Sequence, residues 1–488
     1  MIDIFIMISF FIVIIILFLR NNTVNYLLLV FYSIFQIFFV LLISKAFFSN
    51  DSYNRYFSIL KYQYLYKYFY VDSYSIFFLI ITSILFLISS IASINKIIFM
   101  KEKNFSLYSA FLILFFVSLF GVILSQNILV LWIFIEATTL SGGVLIYQDK
   151  SRHSLEAAWK YLFVCSIGIA ISFVGIIFLS LAFQTNSLSF SDLYLLKDVA
   201  NKFWLELGFG FILIGFGTKA GLAPTHAWLP DAHSEAPSQV SALLSGALLN
   251  TALLGIIRIL NILPDDVMKT GKQYLLFMGV LSVIISAIYM LKSKNYKRLF
   301  AYSSIENIGL IAIGLSLNGL ASIASYLLII SHSLTKSSLF ITSGVIKDIY
   351  HTTEIKKTSN LMIISPLSSI VLISGFLSIC GFPLFLSFMA ELNLINYLIS
   401  NNMWLLLIIL LFFLLIILYS IAKIIFYIVF NIKEDSSASE LLRIKEKKLK
   451  LVNNIQIISA LILIILTLIL GIYLPSQLNN FISTLVNI

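Results

Sequence analysis

The sequence is poor in charge, proline and cysteine. Charged residues make up 11% of its 488 positions, against roughly 25% in an ordinary soluble protein. Length alone would accommodate about three soluble domains. A soluble fold of this size could not cover its surface with so few charges, so lipid must cover most of it. Two cysteines, Cys165 and Cys380, stand far apart inside apolar runs, and no iron–sulfur cluster or structural zinc set can be assembled from them. Glycine loops of the kind that cradle phosphates are missing. What is present is apolar: 60% hydrophobic residues, with 43 Phe and 24 Tyr against 7 Pro. The formal charge of +10 gathers in short segments between apolar runs, so it reads as membrane topology and not as a nucleic-acid surface.

An apolar stretch of about 20 residues crosses the hydrocarbon core as a helix. Fourteen such spans are expected, near 3–19, 25–48, 72–94, 105–124, 127–147, 157–184, 203–231, 237–259, 273–291, 300–317, 321–347, 360–399, 403–431 and 454–474. The first has Asp3 ahead of its apolar run and Arg20 behind it, the reverse of a signal peptide. Lysines and arginines concentrate in the odd-numbered connections, as in Lys96, Lys101 and Lys103, Lys292 to Arg298, and the run ending at Lys450. The even-numbered connections carry fewer, among them Arg55, Lys61, Lys67, Lys197 and Lys269. By this bias the odd connections are cytoplasmic and both termini face outward; a cell inner membrane is the expected location. The tyrosine-rich segment 49–71 reads as an interfacial strip, and 432–453 as a solvated or membrane-surface helix or a docking segment.

Ionisable residues inside spans are costly and by default mark a pathway. Helix 5 carries Glu136, helix 7 Lys219, helix 10 Glu306, helix 11 His332 and Lys336, helix 12 Glu391 and helix 13 Lys423. Pro224 and Pro383 should break helices 7 and 12, because proline lacks a donor and clashes with the carbonyl four residues back. Helix 12 thus echoes helix 7, and Glu306 in helix 10 echoes Glu136 in helix 5. The offset of five places helices 4–8 and 9–13 in opposite topology, an inverted repeat. The expected units are residues 1–104, 105–260, 261–431 and 432–488.

A buried lysine loses affinity for its proton and a nearby carboxylate restores it. A row of such groups, joined by water and His332, would form a proton relay; the alternative is static pairing that fixes helix packing. Lys423 lies near a helix end and could also snorkel to the interface. His226, Asp231, His233 and Glu235 match no common zinc spacing; a polar mouth opening to the cytoplasm, or a loop held by its own hydrogen bonds, is the expectation. Asn250 and Ser245 of helix 8 face either the relay or a packing neighbour.

The run FGTKAGLAPTHAWLPDAHSEAPSQVSALLSGALLN (216–250), with WIFIEATTL, EAAWKYLFVCSIGIA, KRLFAYSSIENIGL and HSLTKSSLF, resembles the antiporter-like membrane subunits of respiratory complex I, Mrp antiporters and membrane-bound hydrogenases. Within that family IEATTL, EAAWKYL and PDAHSEAPS most resemble component F of hydrogenase-4. The resemblance implies an all-α fold of fourteen helices with two inverted five-helix units, each holding a half-channel. It also implies that Glu136 and Lys219 are a proton-handling pair, and that His332, Lys336 and Glu391 serve the second half-channel. Complex I subunits usually set a lysine or histidine on helix 8 to join the halves; Asn250 and Ser245 stand there in this chain. The expected function is a proton-translocating subunit of a membrane redox complex, without cofactor, metal or redox centre of its own. Its expected partners are other subunits, lipid and protons, and no nucleic acid. An Mrp-type cation/proton antiporter subunit and the membrane subunit of an inorganic carbon uptake complex are the alternatives, with a scaffold that has lost pumping as a fourth class.

Overall fold

A computed structural model describes residues 2–19, 21–48, 68–185, 187–431 and 447–486. Most of the strip 49–71 and of the segment 432–453 lies outside these residues. The described chain is helical throughout, with isolated bridges such as Phe69–Ser125 and Asn295–Glu354 tying connections together. We number the principal helices α1 Ile2–Phe18, α2 Asn22–Phe48, α3 Ser73–Ala92, α4 Glu102–Leu124, α5 Ile128–Ile146 and α6 Arg152–Phe183. They continue as α7 Lys202–Ala220, α8 Ser238–Asn261, α9 Asp265–Leu291, α10 Tyr296–Ser316 and α11 Leu320–Tyr350. The series closes with α12 Pro366–Ile379, α13 Trp404–Phe430, α14 Lys447–Ile472 and α15 Ser476–Val486.

Among the described residues eleven helices are long and apolar enough to cross a membrane. The three expected spans outside that set are helical but fall short for separate reasons. α1 has 17 residues, α11 carries Ser, Thr, His332 and Lys336 through its middle, and α12 stops at Ile379.

Local chemistry sets the helix ends. Asp72, Asn127, Asn201 and Asn295 accept backbone N–H bonds at the starts of α3, α5, α7 and α10, and Ser151 with Ser154 forms a capping box at α6. α7 ends at Ala220 and α12 at Ile379, each the residue whose carbonyl a proline four positions on, Pro224 or Pro383, would strike. Gly221 takes φ 79° to turn the chain out of α7, and Gly381 takes φ 61° after α12. The helix then resumes as Trp228–Glu235 and as Leu386–Ser400.

Burial grades from the centre outward. The apolar window of α8 is 100% buried and that of α10 94%, whereas α13 is 28% buried and displays Leu405, Ile408, Phe412 and Leu415 at its surface. Two helix pairs meet backbone to backbone. A Cβ on Gly175 of α6 would lie 2.7 Å from the Gly208 carbonyl of α7, and Gly279 of α9 and Gly309 of α10 face each other in the same way at 2.8 Å. Small residues permit such an approach inside a membrane, where van der Waals packing drives helix association.

At one end of the core Arg258 of α8, left unexplained by the sequence, closes a clamp. Its guanidinium donates to both Asp72 carboxylate oxygens at 3.1 and 3.2 Å, to Ser75 Oγ at 3.0 Å and to the carbonyls of Ile123 and Ser125. One side chain thereby joins α8 to the start of α3 and the end of α4.

Candidate functional site

Lys219 sits in the last turn of α7 and is wholly buried. That position follows from the break: the carboxyl end of a helix presents unpaired carbonyls and a partial negative charge that favour a cation. The Thr218 carbonyl is taken by Trp228 Nε1 at 2.8 Å, so the resumed helix closes the gap. The Lys219 ammonium donates to Thr139 Oγ1 of α5 and to Tyr161 OH of α6, both at 2.8 Å. Tyr161 in turn donates to the Thr138 carbonyl at 3.1 Å, and its ring packs on Trp228.

Glu136 does not meet Lys219 directly. Its Oε1 accepts from Ser166 Oγ of α6 at 2.8 Å, while Oε2 is buried with no partner. Thr139, which holds Lys219, lies one turn from Glu136 on the same α5, so α5 and α6 grip both members of the expected pair through hydroxyls. Cys165 is within electrostatic reach of both.

The second cluster repeats this plan. Lys336 of α11 donates to Ser303 Oγ and to the Phe300 carbonyl of α10. Ser303 lies one turn from Glu306, whose Oε2 accepts from Asn307 at 2.6 Å. Glu391, on the helix Leu386–Ser400, bends back so that its carboxylate covers Gly381 and leaves no room there for a side chain. Cys380, at the end of α12, stands within electrostatic reach of Glu306, Glu391 and Lys336. His332 is buried on α11 with neither ring nitrogen in a well-formed hydrogen bond.

Lys423 joins neither cluster. It is exposed on α13, with its ammonium 5.9 Å from the Tyr419 ring centroid. The four residues of the expected polar mouth part company. Asp231 accepts ion pairs from Lys160 of α6 at 3.1 Å and Arg298 of α10 at 2.8 Å. His233 is fully buried, stacked on Phe340 of α11 at 4.8 Å and within electrostatic reach of Lys297 and Lys336. His226 is half-buried in the break with Nδ1 unpartnered, and Glu235 accepts from Ser234. Lys297, one of the basic residues between the apolar runs of α9 and α10, is wholly buried and donates to the Ala236 carbonyl at 2.8 Å. Tyr161, Thr139, Ser166 and Ser303 were not legible as site residues: hydroxyls are abundant here, and only the fold selects these.

The sequence profile of the NADH:quinone oxidoreductase/Mrp antiporter transmembrane family matches residues 125–417. The hydrogenase-4 component F homolog of Methylacidiphilum infernorum is 38% identical over 276 residues, 55% of this chain and 58% of that protein. Hydrogenase-4 component B of Escherichia coli is 28% identical over 341 residues, 66% of this chain and 49% of its own length. NADH-quinone oxidoreductase subunit M of Rickettsia typhi is 29% identical over 324 residues, 66% of this chain and 64% of that protein. The chain thus spans about half to two thirds of the curated relatives it matches. A chain of the archaeal membrane-bound sulfane sulfur reductase superposes with a TM-score of 0.86 at 23% identity, over 100% of this chain and 97% of that one. One from the Mrp complex of Dietzia sp. superposes at 0.85 and 18% identity, over 99% and 97%. At those identities the likeness is one of fold.

Proposed function

Because the chain belongs to the NADH:quinone oxidoreductase/Mrp antiporter transmembrane family, we propose that it is the proton-translocating membrane subunit of a multisubunit redox complex of the hydrogenase-4 or NADH-quinone oxidoreductase kind. One observation carries this reading. Two lysines, Lys219 and Lys336, are sealed inside an apolar bundle, each bonded to a hydroxyl, Thr139 or Ser303, that lies one helical turn from a glutamate. Hydroxyl partners bind both the ammonium and the neutral amine, so each lysine can release and recover a proton without losing its place.

In this reading fourteen crossings form residues 1–104, two inverted units at 105–260 and 261–431, and a terminal segment 432–488, with both termini outside an inner membrane. A redox event in another subunit disturbs Glu136, Lys219 yields its proton, and the charge moves through His332 toward Lys336, Glu306 and Glu391. Asp231, His226, His233 and Glu235 form the cytoplasmic approach, with His233 on the side of Lys336. The partners are membrane and peripheral subunits that hold the redox centres.

Mass spectrometry of the complex that co-purifies in mild detergent tests the assignment. A large redox subunit with iron–sulfur partners is expected. Small hydrophobic antiporter subunits alone would favour the Mrp-type reading, and one large soluble zinc protein the carbon-uptake reading. Tyr161→Phe supplies a finer check. It keeps the ring against Trp228 but deletes one acceptor of a charged hydrogen bond worth about 1.5–3 kcal/mol. Slower proton uptake by inverted membrane vesicles, with assembly intact, is expected; unchanged uptake would remove Tyr161 from the path.

A further inference from the structure

Lys423 has no part in either lysine cluster, and a charge on a lipid-facing helix calls for a reason. The exposed side chains Tyr419, Lys423, Phe426 and Phe430 of α13 follow one another at steps of four, three and four residues, which places them on one face. Phe426 and Phe430 stack there at 5.9 Å, and the apolar window of α13 is only 28% buried. The Lys423 ammonium lies over the Tyr419 ring, and among the described residues no carboxylate pairs with it.

One turn beyond Lys423, the Tyr427 hydroxyl approaches the Lys356 carbonyl at 3.5 Å, and the Asn360 N–H donates to the Asn431 carbonyl at 3.1 Å. The connection between α11 and α12 is thereby tied to the end of α13. It is tied as well to the connection between α9 and α10. Asn295 and Glu354 form a bridge, the Ile355 N–H donates to the Lys294 carbonyl at 3.0 Å, and the Asn295 amide donates to Thr353 Oγ1 at 2.8 Å. Two loops distant in sequence make one rim. It displays Lys292, Lys294, Lys356 and Lys357 against a single acid, Glu354, which pairs with Lys357 at 2.9 Å. The surface therefore has a cationic half that suits a phosphate and an apolar half that suits an acyl chain. An acidic protein would match the first half alone. A zwitterionic lipid would match the second and bring no net counter-charge. Long lysine stems lift their ammonium groups to headgroup depth, where anionic lipid attracts them.

We propose that the end of α13 and the rim above it form a binding site for an anionic phospholipid. Lys423, Lys292 and Lys294 hold the headgroup phosphate, and Phe426 and Phe430 receive the upper part of an acyl chain. The site is separate from both lysine clusters and stands whether or not the chain translocates protons.

The test titrates the whole chain, purified in mild detergent, with dioleoyl phosphatidylglycerol or dioleoyl phosphatidylcholine and counts bound lipid by native mass spectrometry. Phosphatidylglycerol should be retained in preference to phosphatidylcholine. Lys423→Met leaves α13 more apolar and so keeps the fold. That variant, and Lys292→Gln combined with Lys294→Gln, should each weaken phosphatidylglycerol retention by at least about fivefold, the effect of one basic group beside an anionic surface. Retention of phosphatidylcholine should not change. Glu354→Gln removes the one acid of the rim and should tighten phosphatidylglycerol, a gain that no folding defect imitates. Lys101→Gln with Lys103→Gln, in the connection between α3 and α4, controls for diffuse attraction and should match the parent. Equal retention of the two lipids, or an equal loss in the control, overturns the site. So does displacement of the lipid by millimolar inorganic phosphate, which would assign the rim to the free anion. A map of the intact complex with a partner subunit's protein seated over Lys423 and the rim overturns it as well.

Discussion

Lys219→Ala abolishes coupled proton uptake while the complex still assembles and the chain still folds: this is the expected result with the largest functional effect. The lysine is wholly buried at the end of α7, and its contacts are two hydroxyls, Thr139 Oγ1 and Tyr161 OH. Neither hydroxyl depends on it alone, since Thr139 also reaches the Ile135 carbonyl at 3.3 Å and Tyr161 donates to the Thr138 carbonyl. Alanine therefore removes the proposed proton carrier and strands no opposite charge, as Glu136 keeps its bond from Ser166. The expected drop is at least about tenfold in the rate of coupled proton uptake, each decade being about 1.4 kcal/mol in the barrier. A static structural pair predicts otherwise, with uptake near the parent level and a less stable chain. Measuring uptake with a pH-sensitive dye alongside thermal stability in detergent separates the two.

The largest stability effect is expected at Arg258. Its side chain is 6% exposed and touches Asp72, Ser75, Ile123 and Ser125. Arg258→Met leaves two carbonyls, a hydroxyl and a carboxylate facing apolar atoms. Breaking a buried pair by removing one partner costs about 3–5 kcal/mol, and the lower end applies here because Asp72 retains some contact with solvent. Arg258→Met with Asp72→Asn should be more stable than Arg258→Met alone, because the second change discharges the orphaned carboxylate. Detergent melting curves of the parent, both single variants and the double variant give the coupling. A double variant no better than Arg258→Met would mean that the carbonyl contacts, and not the ion pair, hold the clamp.

Charge was the legible part of the site. Glu136, Lys219, Glu306 and Lys336 stand out because each interrupts an apolar run, and the structure gathers them into two clusters. Lys423 stands out for the same reason but lies exposed on α13. A one-dimensional pattern records how apolar a helix is, and not which of its faces meets the bundle. The helix ends were legible too, since Ala220 and Ile379 precede Pro224 and Pro383 by the four residues that the steric clash dictates. Long-range partners were not. Arg258 and Asp72 are 186 positions apart, and Tyr161 is one of 24 tyrosines. α11 was expected near 321–347 and is helical over Leu320–Tyr350, although its serines, His332 and Lys336 leave it outside the eleven helices that are apolar enough to cross a membrane.

The backbone contacts at Gly175, Gly279 and Gly309 have a genetic consequence. A Cβ there would stand 2.7 or 2.8 Å from a carbonyl oxygen of the facing helix, and a carbonyl on a rigid helix cannot turn aside as a flexible side chain would. Glycine is the one residue without a Cβ. No missense change in these codons is conservative, alanine included: each forces α6 from α7, or α9 from α10. These positions should tolerate synonymous change alone, although none of them bears a charge, binds a proton or belongs to either lysine cluster.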